Sequence, residues 1–288
     1  MPMTPDSLVN DTKQLLSLPK VLLKANELLN SDRSDADDLG TLVGHDPALA
    51  AQVLKLANSA SYRRSRAVDN LTQATTVLGT DGLRNLIYAS KSAEIFDGIS
   101  SELIDMTSFF HRSIYVAALA KRLAVICKMG RGDDQYLSGL FNDIGKLVLY
   151  SQQPALAEEI LRQSEVSKTP IPELENTKLS FTSAEVSAAL LRQWHLPETI
   201  WGPIARLHCR SLTTMKDETM LLRLAISITD SIEPELKNTI PPEQIALPTD
   251  LLVYFDLDEV EIGVAVMAAN SECDDVLAII NQQGPMFC

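Results

Sequence analysis

The spacing of apolar residues is the feature that most constrains this fold, because it follows the period of an α-helix almost everywhere along the chain. Leu49, Val53 and Ala57 form one such stripe, and the Asp46-Pro47 pair before them is typical of a helix start. An Asp at this position accepts hydrogen bonds from the first unpaired N–H groups of the helix. A Pro at the first helical position costs no hydrogen bond, because the N–H that it lacks would have no partner within the helix. The pattern predicts an all-α fold.

Four short segments depart from this pattern. The apolar runs at residues 251–255 and 264–267 have the length of strands, but two short runs do not make a sheet. Residues 97–105 contain Gly and Ser and predict a boundary between two helical lobes, and residues 164–180 contain two prolines and predict a surface loop. We therefore expect a two-lobed multi-helix bundle.

The net charge of −13 is concentrated in the last quarter of the chain. Residues 217–288 contain 14 acidic residues and two basic ones, whereas residues 1–216 are close to neutral. Because nucleic acids and anionic membranes are negatively charged, general binding to either is not expected. The spacing of the apolar residues between these acids predicts amphipathic helices with the acids on the outer face. The residues predicted to face inward are Val260, Val264, Met267, Val276, Ile279 and Ile280.

The compartment is indicated by the termini and the cysteines. The first residues include acids and no apolar core, unlike a signal peptide, and no uncharged run has the length and apolarity to cross a bilayer. The four cysteines lack any Cys-x-x-Cys spacing, so neither a zinc ribbon nor a redox pair is indicated. Scattered thiols are typical of a reducing compartment, and we expect a cytoplasmic protein.

Four stretches of the chain carry motifs that belong together. They are GHDPALAAQVLKLANSASYRRSRAVDNLTQATTVLGTDGLRNLIYASKSAEIF (44–96), FFHRSIYVAALAKRLA (109–124), SGLFNDIGKLVLY (138–150) and SAEVSAALLRQWHLPETIWGPIARLHC (183–209). Together they resemble the HDOD family, an all-helical bacterial signalling module that is related to the HD phosphohydrolases and is generally regarded as having lost their catalysis. The resemblance implies an N-terminal helical lobe (1–102), an HD-domain-like helical core (103–235) and an acidic helical segment packed on that core (236–288).

The resemblance also points to a site. HD phosphohydrolases hold one or two divalent metals with a His, an adjacent His-Asp pair and a distant Asp, and the metal activates a water and neutralises the phosphate. By resemblance, the first His matches His111, the pair matches Asn142-Asp143, and the distant Asp matches Asp230. Asn142 departs from the family pattern, because a neutral amide oxygen is a weaker ligand than imidazole and suits few transition metals.

The further histidines of the two-metal relatives fall at Ser183 and Leu207, so only His208 remains there. The degenerate site therefore comprises His111, Asn142, Asp143, His208 and Asp230. Within it, His111, Asp143 and Asp230 are the candidate metal ligands. Three interpretations stay open: a polar cluster with a structural role, a pocket that senses a single divalent metal or an anion, and a phosphohydrolase with residual activity. We expect no catalytic residue and no cofactor, with one divalent metal as the alternative.

A nucleic-acid reader is an alternative from a different class. Residues 71–90, with Gly79 at the turn, have the outline of a helix-turn-helix. The segment 55–91 contains six bases against two acids. The other interpretation is that Gly79 makes a helix corner and that the arginines pair with acids or dock a partner protein. The candidate basic surface consists of Arg63, Arg64, Arg66 and Arg84.

These observations predict a non-catalytic regulatory module that acts through protein partners and is tuned by a ligand at the degenerate site. The resemblance implies partners from two-component or cyclic-dinucleotide signalling, and a homo-oligomer is a further alternative. Neither a membrane nor nucleic acid is an expected partner.

Overall fold

The structure is a computed structural model in which every regular element of the described residues is a helix. The described residues are 3–11, 22, 24, 25, 28, 36–62, 67–96, 103–209, 216–232 and 248–280. In chain order they form α1 (Pro5–Asp11), α2 (Ala36–Gly44), α3 (Pro47–Ala57), a 3-10 turn (Ala60–Tyr62), α4 (Leu71–Phe96), α5 (Met106–Ile126), α6 (Asp133–Phe141), α7 (Ile144–Gln152), α8 (Pro154–Ser167), α9 (Ile171–Leu179), α10 (Ser183–Gln193), α11 (Glu198–Ala205), α12 (Asp217–Ile232), α13 (Thr249–Phe255) and α14 (Glu259–Ile280). The predicted all-α fold is confirmed, and the runs at 251–255 and 264–267 are helical.

Helix α5 is the centre of the fold. Its middle, residues 114–120, is buried on every side, as expected for a helix that is apolar all round. It packs against α6, α12 and α14. At Gly139 of α6, an added Cβ would lie 2.7 Å from the Cα of Ala117. The backbones of α5 and α6 are therefore in direct contact at this point.

Local signals in the sequence set the starts and bends of the helices. The predicted cap at Asp46 is confirmed, because its side chain accepts hydrogen bonds from the N–H groups of Ala48 (3.0 Å) and Leu49 (3.1 Å). Asp105 begins α5 in the same way. At Gly79 the backbone of α4 bends, with φ 69° and ψ 174°, a conformation that glycine adopts without a Cβ penalty.

Helix α14 packs on helices that come from widely separated parts of the chain. It packs against α5 and also against α3, α4 and the 3-10 turn. Its Glu272, whose side chain is 5% exposed, is held by Arg122 (2.5 Å) and Lys121 (3.3 Å) of α5. The division at residues 102 and 235 stays a prediction, because both boundaries lie outside the described residues. Helix α1 packs on α7 and α10, although the prediction places residues 1–102 in the other lobe.

The predicted inner face of the acidic quarter is half wrong. Val276, Ile279 and Ile280 are buried, but Val260, Val264 and Met267 are 73%, 58% and 70% exposed. The stripe that faces the core begins at Ile262 and continues through Val266, Ala269 and Cys273. It lies two residues from the predicted one, which places it on the opposite side of the helix.

The predicted surface loop at residues 164–180 is also wrong, since α8 extends to Ser167 and α9 occupies Ile171–Leu179. Pro170 and Pro172 lie at the start of α9, where a proline favours a helix instead of ending it. Among the described residues, no helix has the length and apolarity needed to cross a membrane.

We predict that Gly139→Ala destabilises the chain by about 1–3 kcal/mol, because the new methyl group overpacks the contact between α5 and α6. The measurement is the free energy of unfolding in urea. Gly44→Ala is the matched control, since an added Cβ there meets only the Leu71 side chain, at an ordinary 3.7 Å. Equal stability of the two variants would contradict the proposed contact.

Candidate functional site

A cavity of about 710 Å³ lies between α5, the α6–α7 junction and α12. The structure brings all five residues of the degenerate site to its wall: His111, Asn142, Asp143, His208 and Asp230. These residues are separated by up to 119 positions in the sequence, and the packing of α5 on α6 and α12 brings them together.

The Asn142-Asp143 turn is fixed by Ser187 of α10. Its hydroxyl donates to the carbonyl of Asn142 (2.9 Å) and accepts from the N–H of Gly145 (2.8 Å). A Cβ on Gly145 would lie 2.0 Å from the Ser183 carbonyl oxygen, so α7 and α10 touch through their backbones here. The turn between α6 and α7 is therefore held rigidly against α10.

Two cations inside the cavity hold its two carboxylates. The Arg112 guanidinium, one residue after His111, lies 2.6 Å from Asp230 Oδ1 through Nη1 and 3.5 Å from Asp143 Oδ2 through Nε. Lys146 Nζ lies 2.8 Å from Asp143 Oδ1. Arg112 thus bridges the carboxylates of Asp143 and Asp230, and Lys146 binds the remaining oxygen of Asp143.

These contacts set the charge of Asp143. Burial by itself would raise the pKa of this carboxyl group. The positive charges and hydrogen bonds of Lys146 and Arg112 outweigh burial and hold the pKa of Asp143 below its usual range. The group therefore stays ionised at neutral pH, and its charge is neutralised by neighbours on the same chain.

The residues present do not fit a bound divalent metal. Both candidate carboxylates are engaged by Arg112 and Lys146. The Asn142 side chain donates from Nδ2 to the carbonyl of Gly139 (2.7 Å), and its neutral Oδ1 is a weak ligand for a transition metal. Across the described parts of the chain, no three His, Cys, Asp or Glu side chains are grouped so that they could hold a metal ion.

His208 lies where this cavity adjoins a second one of about 860 Å³, because its side chain lines both. Arg223 of α12 holds the backbone on either side of it by donating to the carbonyls of Leu207 (2.5 Å) and Cys209 (2.7 Å). The two cavities therefore lie side by side along α12, with His208 between them.

Three residues of the site, Arg112, Lys146 and Ser187, are not among the residues that the motifs predict. A signal for the first two was present, since one base follows His111 directly and the other lies three residues after Asp143. The sequence therefore already places two basic residues next to residues of the predicted site, which contains two carboxylates. Ser187 gave no signal, because a serine in an amphipathic helix is common.

The candidate basic surface divides into two parts. Arg63, Arg64 and Arg66 lie outside the described residues. Arg84 is largely buried and pairs with Asp134 of α6 (3.2 Å) and, more distantly, with Asp81. Its neighbour Asn85 is also buried and donates to Asp133. Arg84 and Asn85, which lie in the second helix of the predicted helix-turn-helix, therefore face α6 within the fold.

Comparison with known proteins gives a consistent result. A sequence profile of the HDOD domain matches residues 15–209. An uncharacterized protein of Treponema pallidum (strain Nichols) is 26% identical over 250 residues, which is 86% of this chain and 47% of that protein. The chain thus spans about half the length of this curated relative.

Three solved structures have the same fold. A protein of Shewanella amazonensis SB2B, provisionally assigned as a phosphohydrolase, gives a TM-score of 0.75 at 22% identity, over 95% of this chain and 98% of that one. A provisionally assigned signal transduction protein of Marinobacter aquaeolei VT8 gives a TM-score of 0.69 at 22% identity. The match covers 94% of this chain and 60% of that one. An HDOD domain protein with unknown function from Geobacter sulfurreducens gives a TM-score of 0.66 at 21% identity. The match covers 91% of this chain and 96% of that one. At these identities the likeness concerns the fold alone.

We predict that the stability of the chain falls on acidification partly because of Asp143. Its pKa is lower in the folded than in the unfolded chain, so below about pH 5 the unfolded chain takes up the proton first and the stabilisation is lost. Urea unfolding between pH 3 and 7 measures this loss. It should be smaller in Asp143→Asn than in the wild type, because the variant has no carboxylate to protonate at this position. Coincident profiles for Asp143→Asn and the wild type would contradict this prediction.

Proposed function

The chain belongs to the HDOD family, and from that premise we propose that it is a non-catalytic regulatory module that acts by binding protein partners. The observation that carries the proposal is the pairing of Asp143 and Asp230 with Arg112. In a metal-dependent phosphohydrolase such carboxylates bind the metal that activates water. Here a guanidinium lies between them.

The charges of the cavity favour this proposal over hydrolysis. Arg112 and Lys146 balance the two negative charges of Asp143 and Asp230, so the carboxylates are already neutralised. A divalent cation would have to break these ion pairs and would then lie beside two positive charges, which repel it. The amide of Asn142 offers no charge to offset that repulsion.

A ligand that tunes the module is part of the proposal. The Arg112 and Lys146 side chains are 27% and 29% exposed and line the cavity of about 710 Å³. The Asp230 side chain is 58% exposed, and an ion pair with an exposed partner is weak. A small anionic ligand would compete with Asp230 for Arg112 and so change how α5 and α12 are held together.

Partners and location are proposed from the family resemblance and the sequence. We expect partners among the components of two-component or cyclic-dinucleotide signalling, in the cytoplasm, and self-association stays an alternative. The regulatory role has support from the relative of Marinobacter aquaeolei VT8, which is provisionally assigned to signal transduction. Direct binding of nucleic acid has less support, because Arg84 is paired with acids inside the fold.

Metal-dependent hydrolysis of a phosphoester or nucleotide is the second candidate function. It is favoured by the common cavity of His111, Asp143 and Asp230 and by the provisional assignment of the Shewanella amazonensis SB2B relative. It requires Arg112 and Lys146 to release both carboxylates.

We predict that the purified chain does not hydrolyse p-nitrophenyl phosphate or bis(p-nitrophenyl) phosphate above the rate of its Asp143→Ala variant. The assay is run with Mn²⁺, Mg²⁺ and Fe²⁺ in turn, and Asp256→Ala serves as a control outside the cavity. Metal-dependent hydrolysis that Asp143→Ala abolishes and Asp256→Ala retains would refute the non-catalytic proposal.

A further inference from the structure

Exposed apolar side chains are concentrated around the start of α14. Of the seven large hydrophobic residues exposed in the described parts of the chain, only Val166 of α8 lies away from this region. The other six lie at the end of α5, on α13 and along the first half of α14. They are Val125, Val253, Tyr254, Val260, Val264 and Met267.

Polar contacts link the helix ends that carry these residues. The Tyr254 hydroxyl of α13 donates to Asp217 at the start of α12 (2.6 Å). Burial, reinforced by the nearby carboxylates of Glu261 and Asp217, raises the pKa of the Cys127 thiol to about 11. Cys127 directly follows α5, so the ends of α5 and α13 lie close to the starts of α12 and α14.

Three of the six residues form one stripe on α14. Val260, Val264 and Met267 are spaced i, i+4 and i+7, and are 73%, 58% and 70% exposed. Side chains at this spacing lie above one another on the same side of a helix. Single exposed hydrophobic residues are common, but an ordered stripe is typical of a surface that receives another helix. We call this stripe the α14 face.

The surroundings of the α14 face are strongly acidic. Residues 248–280 contain eight acidic residues and no Lys or Arg. At the start of α14, no Lys or Arg among the described residues forms an ion pair with Asp256, Asp258, Glu259 or Glu261. Lys128 and Lys216 are the bases nearest to these helix ends in the sequence, and they do not balance the acids.

Charge decides which occupant fits. A second copy that used the same face would bring two acidic surfaces together, and an anionic membrane would be repelled. We propose that the α14 face docks a basic amphipathic helix of a partner protein, whose apolar side covers Val260, Val264 and Met267 and whose lysines or arginines meet the acids around them. This inference rests on the proposed partner-binding function and names the surface that performs it.

The chain contains its own matched control. Glu259-Val260 on α14 has the same residues as Glu165-Val166 on α8, and all four are exposed. Glu259→Lys with Val260→Ser removes one acid and one apolar contact of the α14 face. Glu165→Lys with Val166→Ser makes the same change elsewhere. Val264→Ser with Met267→Ser removes apolar contacts without a change of charge.

The probe is a labelled helical peptide of about 18 residues with Leu at i, i+3, i+4 and i+7 and Lys at the other positions. A second peptide has Glu in place of Lys. Fluorescence anisotropy with the full chain should show binding of the basic peptide only, and the binding should weaken as salt screens the charges. Both α14 variants should bind at least about tenfold more weakly, and the α8 variant within about twofold of the wild type.

Equal binding by the α14 variants and the wild type would overturn the inference, as would equal binding of the two peptides. A dimer seen by light scattering that Val264→Ser with Met267→Ser converts to monomers would assign the face to a second copy instead. The inference and the proposed function fail separately. Absence of peptide binding refutes this surface alone, whereas metal-dependent hydrolysis refutes the non-catalytic proposal and leaves the peptide result intact.

Discussion

The direct contact between the backbones of α5 and α6 is the constraint on which the rest of the structure depends. Gly139 lies against Ala117 so closely that a Cβ would meet the Ala117 backbone at 2.7 Å. This contact places the first turns of α5, with Arg112, beside the α6–α7 junction, which carries Asp143. A second backbone contact, between Gly145 and α10, fixes the turn that carries Asp143. The positions of the site residues are thus set by the packing of the helix backbones and not by the ion pairs.

Charge then determines what this geometry can do. The cavity contains two carboxylates, and in the related hydrolases equivalent groups serve a metal. In this chain Arg112 spans them and Lys146 binds Asp143 on the other side. These ion pairs, supplied by the chain itself, link α5 to the start of α7 and to α12. These ion pairs support the proposal that the site is a structural link for which a small anion competes.

The sequence predicted the fold well because apolar periodicity and caps act locally. Asp46 caps its helix as expected, and Gly79 bends α4 as expected. The residues of the degenerate site were found through the family motifs, and the structure brings them to one cavity. What the sequence did not reveal depends on tertiary packing. The orientation of Arg112 and the role of Ser187 follow from how α5 and α10 are placed. The face of α14 was misassigned because both of its sides are apolar, and only contact with α5 decides between them.

A crystal structure of the chain grown or soaked with millimolar MnCl₂ at neutral pH tests the central claim most directly, because anomalous scattering locates manganese independently of the protein density. The account predicts that Arg112 stays within hydrogen-bonding distance of Asp230 and that no manganese lies between Asp143 and Asp230. A manganese ion bound by both carboxylates, with the Arg112 guanidinium displaced, would contradict it.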